Sequence, residues 1–118
     1  MDEKRKRQLM AEYRQMKTYY GIIQLRNKEN GKIFIEAVPN TKNRWTYYRL
    51  TLNSGSYRDS PLQKDWDQYG EEAFEYEVLW EKSNEEVVNM KQTLKDLKKE
   101  WLEKLQPFGA AGYNKPLD

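Results

Sequence analysis

The sequence predicts an α+β fold in which a small antiparallel sheet of three strands is flanked by helices. Two apolar runs of strand length flank an Asn30-Gly31 pair, and both residue types tolerate the positive φ that suits a tight hairpin turn. Phe74, Tyr76, Val78 and Trp80 fall at alternate positions, with carboxylates between the first three, as on one face of a half-buried strand. Val87, Met90, Leu94, Leu97, Trp101 and Leu105 recur at three- and four-residue spacing and draw one apolar stripe along a helix.

Taken in order, residues 2 to 17 are rich in helix formers, and Leu9, Met10, Tyr13, Met16 and Tyr20 mark an amphipathic helix docked on the domain. Residues 1–20 are assigned to this helix and 21–118 to the remainder of a single compact domain. The Lys4-Arg5-Lys6-Arg7 run reads first as a solvated terminus. Strand one is expected over 21–27 and strand two over 32–38, with Ile23 and Leu25 on one face and Gln24 and Arg26 on the other. Residues 41–53 are β-branched and aromatic, and propensity alone favours a strand there. Gly55 closes that element and 54–59 form a loop. Ser60-Pro61-Leu62-Gln63 has the cap, the first-position Pro and the third-position Gln of a helix start, and Gly70 ends that short helix. Strand three is expected over 74–80. Ser83-Asn84-Glu85-Glu86 reads as a second capping box, opening a long helix that runs to about Gln106, where Pro107 stops it.

Composition narrows the chemistry. At 118 residues the chain has the size of one domain with a single core. Only 37% of residues are hydrophobic and 34% are charged, so the aromatic side chains must supply much of the core volume. With no Cys and no His there is no thiol nucleophile, Cys/His zinc site or His general base. The net charge of +2 is small, but its distribution is uneven. Residues 1–60 hold 13 Lys and Arg against 6 Asp and Glu, a balance of +7, whereas 61–118 hold 8 against 13, a balance of −5. A phosphate-bearing partner would be drawn to the basic half. No stretch has signal-peptide or membrane-span character, so the cytoplasm is the expected location.

Gly21-Ile22-Ile23, Phe34-Ile35-Glu36, the 40–45 run Asn-Thr-Lys-Asn-Arg-Trp, Trp101 on the long helix and the closing Gly112-Tyr113-Asn114 stand in a familiar order. Together they resemble the GIY-YIG nuclease domain over nearly all of 21–114. The resemblance implies that residues 41–53 form a helix, starting near Asn40, with Trp45, Tyr48 and Leu52 facing inward. In active members, it further implies, two Tyr hydroxyls on the hairpin help activate a water and position the phosphate. An Arg on the next helix steadies the phosphoryl charge, a helix-borne Glu holds a divalent metal, and an Asn near the end completes the site. Here Arg44 fills the Arg position and Asn114 the Asn position. The first Tyr position holds Ile23 and the second Phe34. The Gly two residues beyond that second Tyr is Glu36, and a His often found four residues after the Arg is Tyr48. Counting back three from Trp101, the metal-binding Glu position holds Lys98.

These replacements remove chemistry. Loss of a general base typically costs about 10²- to 10⁴-fold, and neither Ile nor Phe accepts a proton. An ammonium in place of a carboxylate turns attraction for a divalent cation into repulsion. Neighbours offer no rescue: Tyr20 is three residues from Ile23 and points to the other strand face, while Tyr19 shares its face about 13 Å away. Asp96 and Glu100 lie two positions from Lys98 and project about 160° away from it. Asp65, Asp67, Glu71 and Glu72 fall around a short helix and its end, not at one point as a hard cation needs. The sequence is therefore read as a degenerate GIY-YIG-like domain that binds DNA, RNA or another phosphate-bearing partner without cutting it. Arg44, Lys98, Arg26 and Lys32 are its candidate phosphate contacts, it needs no cofactor, and it has no membrane partner. Two alternatives stay open. One is an active endonuclease with a rearranged site, which alone would need Mg or Mn. The other is a protein-interaction module with no nucleic-acid partner. Ile23, Phe34 and Lys98 are expected to converge around Arg44.

Overall fold

The computed structural model describes residues 18–115; the helix expected over 2–17 lies outside them. Three strands form an antiparallel sheet in the order β2-β1-β3, with β1 (Tyr19–Asn27), β2 (Ile33–Val38) and β3 (Phe74–Ser83). Three helices join them: α1 (Arg44–Asn53), α2 (Pro61–Tyr69) and α3 (Met90–Leu105). Helices α1 and α2 cover one face of the sheet, where Ile23, Leu25 and Val38 pack with Tyr48, Leu52, Leu62 and Trp66. Helix α3 covers the other, where Ile22 and Ile35 pack under Leu102 with Leu97, Trp101 and Leu105. Being central, β1 is buried on both faces and is correspondingly apolar.

β1 and β3 both run beyond their expected bounds, where each gives the other a partner. Tyr19 and Tyr20 belong to β1, not to a preceding helix, because they pair with Ser83 and Lys82 at the far end of β3. Between Ile22 and Ile23 the register slips: Ile22 faces Trp80 and Ile23 faces Val78, leaving Leu79 as the extra residue of a bulge. The expected alternation therefore ends at Val78. Trp80 stands beside Ile22 and meets Tyr20 edge-on at 5.6 Å, away from the face of Phe74, Tyr76 and Val78. At the hairpin only Gly31 adopts positive φ (76°); its N–H closes the turn on the Asn27 carbonyl at 2.8 Å. Asn30 instead accepts from the Lys32 N–H and donates to Asp65.

Residues 44–53 are helical despite their strand propensity, because the helix buries Tyr48 and Leu52 completely and places Trp45 between Trp66 and Tyr76. Its start is Arg44, with Asn43 as the left-handed cap; Asn40 forms a turn by accepting from the Lys42 N–H. Ser60 caps α2 as expected and Gly70 ends it. The Gln63 side chain does not complete a capping box; it crosses to the Leu52 carbonyl at 2.7 Å and to Asp67 at 2.9 Å. Ser83 caps no long helix either. It ends β3 and caps one 3₁₀ turn, and α3 opens at Asn89, whose side chain accepts from the Gln92 N–H, so Val87 lies before the helix. After Pro107 the tail runs beside β2, bridging Ile33 through Gly112, and so covers part of an edge strand. Among the described residues no helix is long and apolar enough to cross a membrane.

Candidate functional site

Two features adjoin along β2, and Phe34 belongs to both. The first is a corner built on Arg44, which opens α1. The Arg44 Nη2 donates to the Tyr48 hydroxyl at 3.2 Å and lies 3.7 Å from the Glu36 carboxylate, while the Tyr48 hydroxyl donates to that same Glu36 oxygen, Oε2. One helical turn separates Arg44 from Tyr48, so the two side chains share a face, and Glu36 reaches them from the middle of β2. The guanidinium lies over the Tyr47 ring at 4.2 Å and the Tyr48 ring at 5.0 Å. Phe34 meets Tyr48 edge-on at 6.2 Å.

Burial pushes the Glu36 carboxyl above its ordinary value, against the opposing pull of Arg44 and then Lys98. The Tyr57 hydroxyl is pushed up to about 12, first by burial, then by the Glu36 charge and by Tyr47. It stays protonated at any working pH. Two hydroxyls thus adjoin one carboxylate and one guanidinium, all supplied by elements other than β1.

The second feature is a cleft of about 1090 Å³ between the edge of β2, α3, the start of α2 and the tail. Phe34, Lys98 and Asn114 line it, and Lys32 joins them. So do Lys95, Lys99 and Lys115, which makes five lysines against Asp59 and Asp96. None of the five forms an ion pair with a described residue, although the Lys32 ammonium lies 5.7 Å over the Tyr113 ring. Lys95, Lys98 and Lys99 sit at i, i+3 and i+4 on α3, a spacing that puts three positive charges on one side of the helix. That spacing was legible in the sequence; its convergence with Lys115 from the tail was not.

Asn114 is committed to the fold. Its amide accepts from the Ile35 N–H at 2.9 Å and donates to the Ile35 carbonyl at 2.8 Å, adding a rung to the outer edge of β2. Ile23 is wholly enclosed among the α1- and α2-facing core residues and reaches no solvent. Arg26 lies elsewhere, the one exposed residue of β1 and near its end, 3.4 Å from Glu75. Phe34, Lys98, Lys32 and Asn114 are therefore brought together, Arg44 joins them only through Glu36, and Ile23 and Arg26 stand apart.

A point mutant of the catalytic domain of the intron endonuclease I-TevI matches with a TM-score of 0.65 and 27% identity, over 84% of this chain and 93% of that one. The catalytic domain of the homing endonuclease I-TevI matches with a TM-score of 0.65 and 23% identity, over 82% and 98%. The fold is that of a GIY-YIG endonuclease domain. No protein-family model matches the sequence, and no curated protein sequence is significantly similar to it.

The GIY-YIG fold implies a divalent metal, and the donor set here does not fit one. The position expected to hold the metal carries Lys98, and among the described residues no three of His, Cys, Asp and Glu gather at one point. Asp65 is engaged by Tyr113 and Asn30, Asp67 by Gln63, and Glu71 by Asn53, each in a different place.

Proposed function

We propose that this chain is a GIY-YIG-fold domain that holds nucleic acid by its phosphates in the lysine-rimmed cleft and does not cut it. The observation that carries this reading is the cleft itself, where Phe34 and Lys98 stand at the positions expected of a hydroxyl and a metal-binding carboxylate, among five lysines without ion-pair partners among the described residues. Unpaired lysines around a concave surface attract phosphate oxygens and release the counterions condensed on the nucleic acid. The same site lacks what hydrolysis needs. Phe34 offers no proton acceptor, Ile23 is sealed in the core, and the Lys98 ammonium repels a divalent cation.

The resemblance to an endonuclease catalytic domain favours a second reading, that of an active enzyme with a rearranged centre. One experiment separates them. Labelled single- and double-stranded DNA and RNA are incubated with the protein with and without Mg²⁺ or Mn²⁺, and both complex formation and cleavage are followed across a salt series. The proposed function expects complexes that weaken steeply with salt and leave the strands intact. Metal-dependent cleavage that vanishes with Lys98→Ala or Arg44→Ala would establish the second reading. Absence of any complex at low salt would leave the interaction-module alternative.

A further inference from the structure

The Arg44 corner is occupied from within. A guanidinium that positions a phosphate does so best with two parallel N–H groups, yet Glu36 engages Arg44 through a single oxygen at 3.7 Å, beyond good hydrogen-bond length. The Arg44 Nε is out of contact with water and has no hydrogen-bond partner among the described residues. The same Glu36 oxygen accepts from the Tyr48 hydroxyl, which itself accepts from Arg44, so the carboxylate meets the guanidinium as a charge and not as a direct hydrogen-bond acceptor. Tyr47 and Tyr48 support the guanidinium on their ring faces, which keeps it in place whichever anion it meets. The Arg44 side chain is 21% exposed and that of Glu36 32%, so the pair is reachable from solvent.

We propose that Glu36 is an internal stand-in for a phosphate: its carboxylate neutralises Arg44, and a phosphodiester gains Arg44 only when that carboxylate is displaced or protonated. This rests on the phosphate-binding reading of the neighbouring cleft and adds a control on it. The groups facing Glu36 set the balance. From α1 come Arg44 and the Tyr48 hydroxyl, from the following loop Tyr57, and across from α3 the Lys98 ammonium. Arg44 and Lys98 favour the carboxylate, but burial outweighs them and raises its proton affinity, so acidification frees the guanidinium earlier than an ordinary Glu would allow. A phosphate oxygen can take the place of the Glu36 oxygen at Nη2, and because Nε is buried a second oxygen reaches it only once the surrounding side chains shift.

The test measures fluorescence anisotropy of a short labelled single-stranded DNA and of its duplex, at about pH 7 and about pH 5, with wild type, Glu36→Gln, Arg44→Ala and the double variant. Glu36→Gln keeps the shape and the contact with Tyr48 but removes the charge. It should tighten binding about 10-fold at neutral pH, the size of one charge-assisted contact. The gain should disappear in the Arg44→Ala background, and the wild type should tighten on acidification more than Glu36→Gln does. A Glu36→Gln affinity equal to wild type, or a gain that survives loss of Arg44, overturns the proposal while leaving the cleft reading intact. A second arm needs no nucleic acid: inorganic phosphate is titrated while the Arg44 Nε–H signal is followed by NMR. At neutral pH it should move in Glu36→Gln and stay still in the wild type. If it does so while neither DNA binds, the internal stand-in holds and the nucleic-acid reading falls. Equal response in both proteins, or in neither, overturns the stand-in.

Discussion

The Arg44 corner and the lysine cleft share Phe34 as a common wall, yet they treat charge in opposite ways. In the corner every charge is spent inside the molecule: Arg44 on Glu36 and Tyr48, with two tyrosine rings beneath it. In the cleft five lysines face one concavity without ion-pair partners among the described residues. The difference comes from backbone placement. Glu36 projects from the middle of β2 and cannot move far, whereas Lys95, Lys98 and Lys99 project from the exposed side of α3, where none of the described residues supplies a carboxylate in pairing distance. Arg44, at the expected phosphate-steadying position, is thus the less available cation, and Lys98, at the position where the resemblance expects a carboxylate, is the more available one.

Reversing the charge of the cleft separates the two regions most strongly. Lys95→Glu, Lys98→Glu and Lys99→Glu together should weaken oligonucleotide binding by about 100-fold or more at low salt and lower the salt slope by roughly 2–3 units, as read by anisotropy over a salt series. Arg44→Ala alone should change neutral-pH binding far less, because its charge is already neutralised. Equal losses from the two variants would erase the distinction between the regions.

Next in size is the strand that both regions share. Asn114→Ala strips two buried hydrogen bonds from β2 and leaves the Ile35 N–H and carbonyl without side-chain partners, at a cost of about 2–3 kcal/mol, visible as a fall in Tm of roughly 10 °C. An unchanged Tm would show that the Asn114 rung is not what holds this edge.

A smaller effect follows from the raised Glu36 carboxyl. Folding favours its protonated form, so the stability it contributes is fully present below the ordinary value of 4.5 and is lost as pH rises through its higher folded-state value. Glu36→Gln should therefore match the wild type in Tm at acid pH and exceed it at neutral pH. A variant less stable than wild type at neutral pH would mean that the pair with Arg44 outweighs the cost of burial. Smallest of all is Arg26→Ala. Its pair with Glu75 has both side chains about half exposed, at 49% and 52%, so the change should cost no more than about 0.5 kcal/mol in a denaturant titration. Because Arg26 lies outside the cleft, affinity should also stay the same; a clear loss would extend the interface across the sheet.

Periodicity alone determined much of this protein. The alternate apolar residues of β1 and of β3 up to Val78, the stripe of α3, the Ser60-Pro61 start and Gly70 end of α2, and the Pro107 stop are local signals, and local geometry obeyed them. The lysine spacing on α3 was equally legible. Where an element met a partner distant in sequence, the tertiary structure decided. β3 runs through Ser83 because Tyr19 and Tyr20 lie opposite its end, which displaces the start of α3 to Asn89. Residues 44–53 coil against their propensity because only a helix buries Tyr48 and Leu52 on the sheet. Asn114 is 79 residues from the backbone groups it satisfies, and Arg44 is neutralised by a carboxylate on a different element. No sequence window spans such pairs, and the energy of a polar group depends on which partner folding delivers to it.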